Sequence, residues 1–374
     1  MVRSERSKRK NSRISAVLLT ILAVVTAALV FLYRDKFSSA ALSGRSEDLA
    51  DMVSNSEPFT YETGSRQSFA LMGENLAVAS TTGLQLLGRD GSTVSREVFA
   101  MANPAVCANK AGCAFYDVGG YSLRVYLDGE FVRLDRESEI ISVSVSVSGF
   151  YAVSGCEPGY KGSVTVYDAR LEDVYKWYSG TGYLVDAAVS PDGTSLAALC
   201  VEATGSVVHL FRLDSEEEYA SVSLPNTVAF KLSFEAGGNF CVLSESAISF
   251  FSSGGEALSV YDFGSSFLAD FELSESVRAV VLSKYVSGSD VLLVGFNADG
   301  SSPSELALAA DPLSLASQDG RLLVLGAADI ALYSGDLRLL ARNRVVPGFS
   351  SAVLLPKGGV LLLSSRYGEN CEFS

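Results

Sequence analysis

Tyr121, Tyr160, Tyr285 and Tyr367 each stand in a short glycine-bearing segment, and three of them have a cation as a neighbour, Lys161, Lys284 and Arg366. The segments read Gly119-Gly120-Tyr121, Pro158-Gly159-Tyr160-Lys161-Gly162, Lys284-Tyr285-Val286-Ser287-Gly288 and Arg366-Tyr367-Gly368. A phenol ring buries area while its hydroxyl keeps a hydrogen bond, and an adjacent cation supplies charge. This is binding chemistry. It suits an anionic glycopolymer or the acidic surface of another protein, although glycine and tyrosine are also common wherever a loop simply turns.

Bond-breaking chemistry has less to work with. The one histidine, His209, lies in Ser206-Val207-Val208-His209-Leu210-Phe211, a strand-like run with no Gly-x-Ser-x-Gly elbow elsewhere in the chain. It reads as structural, and its number excludes a histidine-rich metal site. Asn297-Ala298-Asp299-Gly300-Ser301 resembles part of a calcium loop, but the next acidic residue is Glu305 and the other Asp-Gly pairs read as turns. No cofactor is called for. The surviving enzyme alternative is a lactonase-like or peptidase-like hydrolase with carboxylates in a central channel.

Six cysteines, Cys107, Cys113, Cys156, Cys200, Cys241 and Cys371, are spread along the chain. Cysteine fills small buried sites well, so free buried thiols are expected, with Cys107 and Cys113 as the best disulfide candidate because they flank Ala108-Asn109-Lys110-Ala111-Gly112.

The elements that must hold these residues are short strands. Apolar runs are broken by Arg89-Asp90-Gly91-Ser92, Leu127-Asp128-Gly129-Glu130, Pro191-Asp192-Gly193-Thr194, Ala298-Asp299-Gly300-Ser301 and Gln318-Asp319-Gly320-Arg321. Asp-Gly tolerates the positive φ angles of tight hairpins, so the strands are antiparallel and in meander order. Aligned, they form four-strand units beginning near Ser68, Ala105, Ile141, Leu184, Val228, Leu268, Leu313 and Ser351. A period of about forty residues is that of propeller blades. The fold class is therefore all-β, a β-propeller of four-stranded blades over residues 58–374, with eight blades favoured and seven the alternative because Leu268–Ala310 is the least regular unit. The last unit has three strands, and Pro58-Phe59-Thr60-Tyr61-Glu62 is placed to supply its outer one and close the ring. In such a ring the loops between second and third strands share one face with the blade-to-blade connections. All four tyrosines fall there, on what reads as the face of longer loops.

Ile14–Tyr33 is an uncharged apolar run long enough, at about 1.5 Å per residue, to cross a hydrocarbon core of about 30 Å. Residues 1–13 carry Arg3, Arg6, Lys8, Arg9, Lys10 and Arg13 against Glu5, a basic tail that keeps the N-terminus cytoplasmic and puts the propeller outside. A cleaved signal peptide is the competing reading, since Ser38-Ser39-Ala40-Ala41 has suitable small residues. Residues 34–57 read as a Ser-rich tether, with a short helix around Glu47–Val53 as an option. The basic tail is net +5 in a chain of net charge −14, which leaves −19 for the remainder. A domain of that sign lacks the electrostatic footprint of nucleic-acid binding.

The basic tail, single span and tether, followed by repeats such as Val164-Thr165-Val166-Tyr167-Asp168 and Val189-Ser190-Pro191-Asp192-Gly193, resemble the single-pass propeller proteins of Gram-positive anaerobic bacteria, a domain-of-unknown-function family. Its blades are similar to WD-repeat and quinoprotein propellers. The Gly-His and Trp-Asp marks of true WD repeats are absent, and Trp177 alone cannot supply recurrent tryptophan docking. The resemblance implies a membrane-tethered module that binds an envelope protein or wall glycopolymer, and carries over no catalytic residue.

Overall fold

The computed structural model describes residues 49–285 and 289–374. They form eight antiparallel sheets, each a four-stranded meander except the last, which carries a split outer strand. Numbered along the chain, the innermost strands of blades 1 to 8 are Gln67–Met72, Pro104–Ala108, Ile140–Val145, Tyr183–Val189, Ala229–Phe234, Phe267–Leu273, Ser314–Gln318 and Ser351–Leu354. The innermost strand of blade 8 packs on that of blade 1, so the eight-bladed ring is closed and the seven-blade count is set aside. Leu268–Ala310, expected to be irregular, is a full blade with strands Phe267–Leu273, Arg278–Tyr285, Ser289–Phe296 and Ser304–Leu308.

Strand periodicity explains how these sequences fill the ring. Successive side chains point to opposite faces of a strand, so a strand inside a blade feeds two different cores. In blade 4, Leu196, Ala198 and Cys200 pack toward blade 3, whereas Ala197 and Leu199 pack toward blade 5. The same division recurs at every junction, and the apolar interior is a circle of layers, one between each pair of neighbours. Both faces must be apolar, which is why the second strands read as continuous hydrophobic runs.

Two of the Asp-Gly pairs make two-residue hairpins. Asp128 and Gly129 have φ of 52° and 92°, and Asp319 and Gly320 have 50° and 71°, the left-handed pair that such turns demand. The other three are wider, and the aspartate accepts a backbone N–H two residues on: Ser92 to Asp90, Thr194 to Asp192 and Ser301 to Asp299. In Asn297–Ser301 the Asp299 carboxylate is thus used by the turn itself.

Closure is made by the segment before blade 1. Phe59–Thr60 pairs with Gly368 and Tyr367 as expected, and Val53–Ser54 pairs with Glu372 and Cys371 beyond it. Residues assigned by sequence to the tether therefore belong to the sheet. Where a short helix around Glu47–Val53 was expected, the described part is extended: Asp51 bridges to Arg344, and the Arg344 N–H donates to the Ala50 carbonyl. Phe59 and Tyr61 sink into the layer between blades 8 and 1, beside Leu76, Val78, Val353 and Leu361. The Tyr61 hydroxyl donates to the carbonyls of Ser364 and Tyr367. The apolar run Ile14–Tyr33, the basic residues before it and the tether as far as residue 48 lie outside the described residues. Among those described, no helix is long and apolar enough to cross a membrane.

The cysteines are all free. Cys107 and Cys113 do not face each other, because the hairpin register pairs Ala108 with Cys113 and Cys107 with Ala114, which sets the two thiols on opposite faces of the sheet. A slip of one residue from the expected register removes the disulfide.

If the Phe59–Tyr61 anchor holds the ring shut, Phe59→Ala should cost about 3–4 kcal/mol through the cavity it leaves. Tyr61→Phe should cost about 1–2 kcal/mol through the Ser364 carbonyl it leaves unpaired, the Tyr367 carbonyl keeping its bonds from Ser364. Urea unfolding monitored by fluorescence measures both, and wild-type midpoints would mean that closure does not depend on this segment.

Candidate binding surface

The ring has two ends. One, here the upper face, gathers the loops between second and third strands and the connections from blade to blade; the lower face gathers the remaining turns. Tyr121 lies between Cys113–Asp117 and Ser122–Leu127 of blade 2, and Tyr160 and Lys161 between Tyr151–Gly155 and Gly162–Tyr167 of blade 3. Lys284 and Tyr285 end the second strand of blade 6, and Arg366 and Tyr367 precede and open the third strand of blade 8. All seven therefore stand on the upper face. Its loops are not the longer ones, however. Blade 4 joins its second and third strands through residues 203–204 alone, whereas its lower turn spans 190–194, because the aspartate-capped turns need the extra residues.

The structure brings together some of the seven. Tyr121, Tyr160 and Lys161 line one cavity of about 410 Å³ across blades 2 to 4, with Tyr183, Pro158, Cys156, Glu137, Glu139 and Glu157. The Tyr121 hydroxyl donates to Glu139 at 3.0 Å, and that carboxylate holds the phenol pKa above its usual range. Tyr160 stacks on Tyr178 with centroids 4.6 Å apart. Lys161 does not pair with its neighbour Tyr160. Its ammonium lies 4.4 Å from the Tyr183 ring centroid and 3.0 Å from the Tyr183 hydroxyl. Lys284 sits over Tyr285 at 5.6 Å in blade 6, away from this cavity, and the Tyr367 ring packs edge-on against Phe349 at the closing blade.

Sequence reasoning missed a second feature of this face. Tyr183, Val228 and Phe267 stand at one structural position, three residues before Asp186, Lys231 and Asp270, at which the inner strands of blades 4, 5 and 6 share a bulge. Leu313 directly precedes the inner strand of blade 7. All four side chains are exposed, at 61%, 54%, 52% and 48%. They form an apolar arc along half the channel mouth, and beneath it Phe230 packs on Phe271 with centroids 6.0 Å apart. Among the described residues, the other exposed large apolar side chains, apart from Phe230 on the inner strand of blade 5, lie on this upper face or on an outer strand, and the lower turns have none. The signal was present in the sequence, since Val228 and Leu313 mark unit starts, but an apolar residue opening a strand reads as buried.

The channel is polar further down. Asp186 accepts from Ser142 of blade 3 at 3.1 Å, and from Lys231 at 2.9 Å and the Leu232 N–H at 3.1 Å of blade 5. The Asp186 carboxylate raises the Lys231 pKa. In blades 6 and 7, Glu272 lies 2.7 Å from the Ser317 hydroxyl. Among the described residues no group of three His, Cys, Asp or Glu is placed to hold a metal ion. His209 binds Glu218 through Nδ1 at 3.0 Å and packs on Trp177. On the lower face a cavity of about 480 Å³ lies at the closing seam between Asn55, Glu74, Arg89, Lys357 and Asn370. It is where the chain leaves the sheet between its two closing strands.

Ring and channel define the class, an eight-bladed β-propeller of four-stranded blades, with an apolar arc on its upper face. Residues 51–334 match the family described as "Family of unknown function (DUF5711)", and the chain belongs to that family. Among solved structures it is similar to the C-terminal WD40 domain of Sif2, with a TM-score of 0.61 and 9% identity over 87% of this chain and 99% of that one. It is also similar to BamB from Moraxella catarrhalis, with a TM-score of 0.55 and 10% identity over 86% of this chain and 100% of that one. At these identities the likeness is one of fold. No curated protein matches the chain by sequence.

Burial pushes the Glu272 carboxyl up to about 7 from an ordinary 4.5. The folded protein then holds this proton more tightly than the unfolded chain. Its contribution to stability is full below about pH 4.5 and is lost as the pH rises through about 7. Glu272→Gln should flatten that decline and be the more stable protein above it, by the order of 1–2 kcal/mol. Melting temperatures taken across the range check this, and parallel wild-type and variant curves would refute it.

Proposed function

We propose that this propeller is a docking module that binds another protein on its upper face, held at the outer side of a membrane by the span Ile14–Tyr33. The carrying observation is the difference between the two ends of the ring. A soluble surface seldom clusters large apolar groups without covering them in its working state. Here Tyr183, Val228, Phe267 and Leu313 stand at the upper ends of four successive inner strands, whereas among the described residues the lower turns have no such groups. Tyr121, Tyr160, Lys161, Lys284, Tyr285, Arg366 and Tyr367 share the upper face with the arc, on blades 2, 3, 6 and 8, and add the aromatic and charged groups expected of an interface. The carboxylates beside Tyr121 and Tyr160 favour a protein partner over an anionic wall polymer. The resemblance to single-pass propellers of Gram-positive anaerobes supports the tethered, extracytoplasmic setting, as do the basic residues before Ile14.

A photo-crosslinking amino acid at Phe267, carried by full-length protein in cells, should form adducts with a protein of defined mass. The same group at Ala236, exposed on the lower turn of blade 5, should form none. Equal crosslinking from both faces, or none from Phe267, would overturn the docking reading. Protease added to wall-stripped cells should remove the propeller and spare an N-terminal tag, and protection of the propeller would overturn the tethered topology.

A further inference from the structure

We infer that the cavity across blades 2 to 4 receives an arginine side chain of the partner protein. This rests on the upper face being the docking surface and names what that surface reads beside the apolar arc. The charges of the cavity carry the argument. Glu137, Glu139 and Glu157 line it against a single ammonium, Lys161, which is already engaged with the ring and hydroxyl of Tyr183. The three carboxylates are under-used. Glu139 accepts one hydrogen bond from Tyr121, Glu157 has the Ser138 and Ser163 hydroxyls at 3.4 Å and the through-space charge of Lys176 behind it, and Glu137 has no hydrogen bond or ion pair among the described residues. The cavity is thus short of positive charge and donors.

The rings select which cation. Tyr121 and Tyr160 are half exposed, at 54% and 52%, and Tyr160 is backed by Tyr178, so its orientation is held from behind. A planar guanidinium stacks on such a ring and still directs its in-plane donors at carboxylates, which a compact ammonium cannot do as well. Arginine is also among the residues on which interface energy concentrates. An anionic ligand would meet three carboxylates, and a purely apolar one would leave them without partners.

The cavity contains its own reporter. Cys156 lines it and is exposed, while Cys113, Cys200, Cys241 and Cys371 are buried. Burial raises the thiol pKa of those four and of the half-buried Cys107, which suppresses the reactive thiolate. Neutral iodoacetamide should therefore modify Cys156 first, and the rate, followed by mass spectrometry, measures access to the cavity. Acetyl-tetra-arginine amide should slow the modification about fivefold at saturation, with tetra-lysine weaker and tetra-glutamate without effect. Glu137→Gln combined with Glu157→Gln, two surface substitutions that leave the core intact, should abolish the protection. Equal protection by the lysine or glutamate peptide, no protection by the arginine peptide, or protection that survives the double substitution would each overturn the assignment. If arginine gives no protection while Phe267 still crosslinks, the docking surface stands and its arginine specificity falls.

Discussion

A blade of this protein cannot be last in a row. Each middle strand has apolar side chains on both faces, Leu196, Ala198 and Cys200 on one and Ala197 and Leu199 on the other, so a sheet with one neighbour would leave half its core in water. At roughly 25 cal/mol per Å² of apolar surface, a bare blade face costs more than a domain's whole net stability of about 5–15 kcal/mol. The ring is the arrangement in which every face has a partner. The remaining features serve it: the bulges that set the inner strands, the serines and the Asp186 carboxylate that reach across to the next blade, and the borrowed strand at the seam.

That constraint also explains where binding groups can stand. Inside the layers nothing is spare, and the lower turns are committed to glycine and to aspartates that cap their own backbones. The upper connections use glycines too, Gly119 and Gly159 at positive φ, but leave the positions beside them to large side chains. Their side chains can be large, apolar and exposed without disturbing a layer, which is how the arc from Tyr183 to Leu313 exists beside a fully packed interior. Exposed groups of this kind stand where the fold makes the fewest demands.

The architecture was legible because it repeats. Unit starts read at Ser68, Ala105, Ile141, Leu184, Val228, Leu268, Leu313 and Ser351 fall within one residue of the inner strands, since Asp-Gly turns and apolar runs mark the same beat along the chain. What escaped was local. Hydrophobicity alone does not separate the first residue of a strand from its buried second, so Val228 and Leu313 were read only as unit starts. The Cys107 and Cys113 pairing failed on a register offset of one residue, which composition does not encode. Tyr160 and Lys161 were found through their loop, but their geometric partners are Tyr178 and Tyr183. The glutamates that complete the cavity come from two blades and share no spacing.

The borrowed strand has a consequence for synthesis. Val53 pairs with Glu372, so the two halves of the closing sheet are separated by nearly the whole domain. At about 5–20 residues per second, roughly 15–60 s pass between the emergence of one and of the other. Throughout that time the nascent chain has a growing row of blades with two open flanks and an unpaired β-edge. A chaperone or a translocation machine that shields those flanks would act on an intermediate the sequence makes unavoidable. Closure here is gated by the strand around Glu372, which emerges long after the segment it pairs with.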